Sequence, residues 1–246
     1  MDTSSAGLNA SGLDTDGVRI LTLNRPDKAN AIDLDLARAL LSWVKLSTQD
    51  RCKALIFAGA GKNFCAGFDF SNVEATSAGD VVERFALLEQ AFQHLRSAPF
   101  VSFALVQGAA FGAGADLVLA CTYRIGAARA RFRFPGFQFG VALGTRYLAS
   151  IVGMQAARDI LLRNRIIAAD EALRLGLLTH LGEDDELRRM AEGLAAEIGA
   201  LHPEAIRRIH AMTMEHDEEG DLSELVKSLL EPSLHERIAA YRQKRI

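Results

Sequence analysis

The sequence has few of the residues that usually announce a site. Its three cysteines, Cys52, Cys65 and Cys121, are odd in number and far apart. That excludes the paired spacing of a zinc site or a redox dithiol and fits a reducing compartment. Six histidines form no HExxH or similar cluster, and no GxSxG elbow occurs. AGAGKN (58–63) has the wrong glycine spacing for a phosphate loop, with Asn63 where Ser or Thr should follow the lysine. GAG at 112–114 lacks the third glycine of a dinucleotide fingerprint. With 28 basic against 31 acidic residues and a net charge of −3, there is no electrostatic footprint for nucleic acid or an anionic membrane.

Long apolar runs are scarce too. The longest, FVSFALVQGAAFGAGADLVLAC (100–121), is broken by Gln107, three glycines and Asp116, so it reads as strand, turn and helix rather than a membrane span. The start, MDTSSAGLNASGLDTDG, is acidic and polar where a signal peptide needs basic residues and then an apolar run. These features predict a cytoplasmic protein without metal or resident cofactor, with residues 1–15 as a flexible tail.

What is present is enough for a substantial core: 246 residues, 49% of them hydrophobic. Strand signals fall at 17–25, 53–60, 100–107, 122–127 and 131–135, with helical patterns at about 33–47, 79–96 and 113–121 between them. The alternation predicts an α/β body with buried, largely parallel strands over residues 16–182. From about 145 strand signals fade into helices, and residues 183–246 are expected to be helical. In RFRFPGFQFG (131–140), phenylalanines recur at alternate positions around Pro135-Gly136, a break at which a strand must end or bend.

Two glycine-containing stretches follow predicted strands. GKNFCAGFDF (61–70) carries small residues, Cys65, Ala66 and Gly67, that let backbone approach a ligand. QGAAFGAGADL (107–117) enters a helix whose first N–H groups suit a developing negative charge. Each alone fits a tight turn as well as a site.

In this order, together with LNRPDKANAID (23–33) and RFRFPGFQFGVALGTRYLASIVG (131–153), these stretches resemble the crotonase superfamily, the enoyl-CoA hydratase/isomerase family, over nearly the whole chain after residue 16. The resemblance implies a spiral of β-β-α units, with residues 183–246 as a helical region that builds homotrimers or hexamers. It implies an acyl-CoA thioester as substrate, coenzyme A being its carrier. By motif position the oxyanion donors are the N–H groups of Phe68 and Ala113. Lys28, Ala29, Ala31 and Ala66 then line the CoA portion. Gly67, Asp69, Phe70, Phe111, Gly112, Pro135 and Gly136 border the acyl site.

One family feature is missing. A hydratase of this family places one glutamate three residues after the second donor and another directly after the later proline; here those places hold Asp116 and Gly136. Hydration shares its proton transfers between two carboxylates, so double-bond isomerisation, which needs one, is favoured. Thioester hydrolysis or decarboxylation, and a non-catalytic acyl-CoA binder or assembly subunit, stay open. Asp116 serves either as acid/base or as a first-turn carboxylate that suits the helix dipole. On the helix 81–96, Glu89 falls within the apolar stripe Val81, Phe85, Leu88, Phe92. It is either a replacement base or a stripe-edge carboxylate, reaching solvent or paired with Arg96. Arg146 stands either in solvent or turned inward to bind a substrate carboxylate. No Asp or Glu lies between 132 and 157, which disfavours a covalent carboxylate from that loop. The basic tail Arg242, Lys244, Arg245 is a further candidate for CoA phosphates.

Overall fold

In the computed structural model, which describes residues 4–71, 73–213, 218–230 and 234–243, alternate side chains of each central strand enter different cores. On β4 (Ala54–Gly59), Leu55 and Phe57 pack to one side and Ala54 and Ile56 to the other. On β5 (Val101–Val106), Ala104 and Val106 face the first side, and Val101, Phe103 and Leu105 the second. Strands covered on both faces have no wet side, which is why they read as unbroken apolar runs.

These strands belong to a seven-stranded sheet that begins with β1 (Ser4–Ser5), β2 (Leu8–Ala10) and β3 (Val18–Leu23), continues through β4 and β5, and ends with β7 (Tyr123–Ala127) and β10 (His180–Gly182). From β3 onward every pairing is parallel; β1 and β2 add an antiparallel edge. A smaller sheet orders β6 (Ala109–Phe111), β8 (Arg131–Arg133) and β9 (Ile167–Ala168). The repeating unit is a long strand, a short strand in the second sheet, and a helix: β5, β6, then α3 (Ala113–Ala120).

Helix α1 (Leu34–Gln49) starts where Asp33 accepts a hydrogen bond from Leu36 N–H at 2.9 Å. Helix α2 (Ala78–Arg96) starts at Ser77, whose hydroxyl accepts from Asp80 N–H at 3.1 Å. Both bury their apolar stripes beside α3, under the first face of the sheet. After β8 the chain turns through a 3₁₀ segment, Gly136–Phe139, into α4 (Thr145–Val152), α5 (Met154–Arg163) and α6 (Ala169–Arg174). Thus Phe137 and Phe139 continue the alternation on paper only, since Pro135 ends the strand.

Two expectations change. Residues 1–15 are not wholly a flexible tail: Leu8–Ala10 pairs with Leu21–Leu23, and Leu8 is buried. The apolar signal there is only Leu8 and Ala10, too short to separate from a polar terminus. Strands also persist beyond 145, as β9 and β10, each short enough to be masked by flanking helical patterns. After β10 the described chain is helical. Helices α7 (Leu187–Ile198) and α8 (Pro203–Thr213) cover the second face of the sheet. Helices α9 (Glu218–Leu230) and α10 (Leu234–Gln243) instead fold over Phe68, Phe85 and Phe139.

Candidate active site

The loops after β4 and β5 are fastened to each other by backbone. Cys65 N–H donates to Ala109 O at 3.0 Å and Phe111 N–H to Cys65 O at 2.9 Å. A methyl on Gly67, where φ is +91°, would stand 2.5 Å from Phe111 O; one on Gly114 would stand 2.5 Å from Cys65 O. Only glycine permits that approach. The Cys65 thiol inside this contact is pushed up to about 12 by burial, so it is inert structure.

The approach exposes two donors. Ile32 N–H donates to Gly67 O (2.7 Å) and Asp69 N–H to Ile32 O (2.9 Å), using the backbone on either side of Phe68. Gly112 N–H donates to Arg133 O at 2.8 Å, one residue before α3 begins at Ala113. Among the described residues neither Phe68 N–H nor Ala113 N–H has a hydrogen-bond partner. A Cβ on Gly67 would lie 3.3 Å from Ala113 N, so the two loops meet at these groups. Buried unpaired N–H groups are costly, and a ligand oxygen would satisfy them.

Asp116 lies one turn into α3 and borders the same cavity. It is buried, and its Oδ1 has no partner among the described residues. Gly144, with φ +64°, seats against it so closely that a methyl there would stand 2.8 Å from Asp116 Cγ. Burial, reinforced by the charge of Glu89 and opposed by that of Arg96, raises the Asp116 carboxyl well above its ordinary range.

The cavity has a volume of about 40 Å³ and is walled largely by aromatic rings. Phe68 stacks on Phe85 with ring centres 4.4 Å apart, and the Arg84 guanidinium lies 4.3 Å from the Phe68 ring centre on a cation–π contact. Tyr241 of α10 closes another side, 5.1 Å from Phe139.

Ala66, Phe68, Phe70, Phe111, Gly112 and Ala113 all border this cavity, as do Asp116, Pro135 and Gly136. At Gly136 a methyl would stand 2.6 Å from Val141 O, and Gly136 O accepts from Val141 N–H at 2.9 Å. Lys28, Ala29 and Ala31 sit beside the site, with Ala29 O accepting from Ala66 N–H at 2.9 Å, but do not line the cavity. Asp69 is held by Arg25 at 2.9 Å.

Glu89 and Arg146 lie outside the cavity. Arg96 Nη2 donates to Glu89 Oε1 at 3.0 Å, and Gln93 Nε2 donates to the same oxygen at 3.1 Å, so Glu89 takes the paired alternative. Half-exposed Arg146 pairs with Asp221 at 3.3 Å. In the basic tail, Arg242 pairs with Glu74, while Lys244 and Arg245 lie outside the described residues.

Sequence reasoning missed Tyr241, Arg133 and Leu161, which also border the cavity. Nothing local to them signals a site. It missed Asn30 as well, whose buried amide donates to the carbonyls of Ala60, Asn63 and Phe64 and so shapes the first loop.

Residues 14–237 match the sequence model of the enoyl-CoA hydratase/isomerase family. The short-chain-enoyl-CoA hydratase of Clostridium acetobutylicum is 31% identical over 195 residues, covering 77% of this chain and 75% of the relative. A Bordetella parapertussis crystal structure named for the enoyl-CoA hydratase/isomerase family superposes with a TM-score of 0.92 at 35% identity, over 96% of this chain and 98% of that one. A Thermobifida fusca structure named for enoyl-CoA hydratase, in complex with acetoacetyl-CoA, superposes with a TM-score of 0.78 at 26% identity, over 93% and 95% of the two chains.

Proposed function

The chain belongs to the enoyl-CoA hydratase/isomerase family of the crotonase superfamily, and from that premise we propose that it moves the double bond of an enoyl-CoA thioester instead of hydrating it. The observation that carries this reading is that Asp116 is the sole carboxylate among the described residues bordering the cavity. Coenzyme A as carrier is supported by the acetoacetyl-CoA held by the Thermobifida relative and by the substrate named for the Clostridium one.

In this reading the thioester oxygen accepts hydrogen bonds from Phe68 and Ala113 N–H. Asp116, ionised, removes a proton from C2 of a 3-enoyl thioester. The C2–H bond breaks, its electron pair delocalises onto the thioester oxygen, and the two N–H groups stabilise the resulting enolate. The same carboxyl returns the proton to C4, leaving the double bond between C2 and C3. Raised above its ordinary range, the carboxyl is a stronger base than a free aspartate, which suits a group that takes a proton and returns it.

Turnover of a 3-enoyl-CoA, followed by absorbance of the conjugated 2-enoyl product, tests the reading. Isomerisation should exceed hydration of crotonyl-CoA by about 10² or more, the usual worth of a missing acid/base group. Crotonyl-CoA hydration at about 1 to 10³ per second would overturn it. Tight binding of both thioesters without turnover would make the chain a binder.

A further inference from the structure

A second cavity lies at the other end of the sheet. The active-site loops follow the C-terminal ends of β4 and β5, whereas this cavity, of about 470 Å³, is bordered by the start of β7 (Thr122, Arg124), the end of α2 (Arg96), Tyr147 of α4, and His210 and Thr213 of α8. No Asp or Glu borders it among the described residues.

Of its two arginines Arg96 is buried and Arg124 half-buried. The Arg124 guanidinium donates only to backbone carbonyls: to Leu177 O through Nε (2.9 Å), to Cys121 O and Thr122 O through Nη1 (2.9 and 3.3 Å), and to Gly176 O through Nη2 (3.1 Å). Among the described residues it has no carboxylate partner. Those four bonds leave one of its five N–H groups unused. Arg96 is 6% exposed, and its Nε has no hydrogen-bond partner. Glu89 answers Arg96, whose guanidinium also lies 4.9 Å from the Tyr147 ring centre, whereas among the described residues Arg124 meets only the partial charges of neutral carbonyls. Burying such a charge is unfavourable unless an anion joins it.

We propose that this cavity binds a small oxyanion, with phosphate as the fitting class, between Arg96 and Arg124. Arg96 Nε and the unused Arg124 N–H supply charged donors, and planar guanidinium groups suit phosphate and carboxylate oxygens. Thr122 and Thr213 hydroxyls lie at the same walls. The cavity is wide enough for an oxyanion with part of its hydration.

The test is thermal unfolding of the full chain in inorganic phosphate against sodium chloride of equal ionic strength. Phosphate should raise Tm saturably, by roughly 3 °C or more at tenfold over half-saturation. Thr213→Glu places a carboxylate at an exposed helix end beside the cavity; it should fold and lose the response, with apparent affinity down at least tenfold. Arg124→Met should lose it as well, and if that variant does not fold, Thr213→Glu decides alone. Lys28→Ala, on the side where the family resemblance places CoA, should keep the full response. No phosphate-specific rise in Tm overturns the site, as does a response retained in Thr213→Glu or lost in Lys28→Ala. A Thr213→Glu change in sedimentation without any phosphate effect would assign the cavity to a subunit contact and also overturn it.

Discussion

Arg96 Nη2 and Glu89 Oε1 lie 3.0 Å apart on α2, seven residues from each other, with both side chains 3% exposed. The pair explains how a charged residue occupies an apolar stripe: each charge is answered inside the protein. Glu89→Gln leaves Arg96 without its counter-charge, and breaking a buried pair costs about 3–5 kcal/mol. Tm should fall by about 6–20 °C. Because Glu89 raises the Asp116 carboxyl, any limb of the pH–rate profile governed by Asp116 should move to lower pH in this variant. Unchanged Tm with turnover lowered at least 10²-fold would make Glu89 the base.

Asp116→Asn should lower kcat by about 10² or more with little change in thioester binding. Stability gives a second reading of the same group. Its carboxyl is raised in the folded state above the ordinary 3.8, so its contribution is complete at pH below that value and is lost as pH rises through the folded one. Melting from pH 3 to 9 should show the wild type losing ground to Asp116→Asn toward the alkaline end. A difference independent of pH would contradict the assignment.

Gly136→Glu tests whether hydratase chemistry can be restored. The added Cβ meets Val141 O at 2.6 Å, so the loop must shift, at about 1–3 kcal/mol. The variant should melt lower and gain no hydration of crotonyl-CoA. A tenfold gain without loss of Tm would show that the loop opens freely.

Tyr241 comes from α10, yet it borders the cavity. Tyr241→Ala should raise kcat/KM for longer acyl chains relative to a four-carbon one. An unaltered chain-length profile would remove α10 from the acyl pocket.

A homotrimer or its double is proposed for this chain, and sedimentation equilibrium measures it directly. Helices α9 and α10 spend apolar surface on their own cavity, but Met154, Leu162 and Ile166 stay exposed. A concentration-independent monomer would mean that these side chains face water.

The sequence by itself determined the central strands, helices at about 33–47, 79–96 and 113–121, which form as 34–49, 78–96 and 113–120, and the two glycine-containing loops that follow β4 and β5. Period-two and helical apolar patterns are local, and so are glycines demanded by backbone contact. That a glycine follows Pro135, where the strand must end, was equally legible. Tertiary structure alone decided the rest. Whether Glu89 served a substrate or Arg96 depended on where a long guanidinium folds back, which helical spacing does not fix. Likewise, Tyr241 reaches Phe139 from about a hundred residues away because α10 packs over the 3₁₀ turn. Arg124 is surrounded by carbonyls only because β7 and the segment around Gly176 converge. Local periodicity reports which face of an element is buried; what that face meets is set by chain segments distant in sequence.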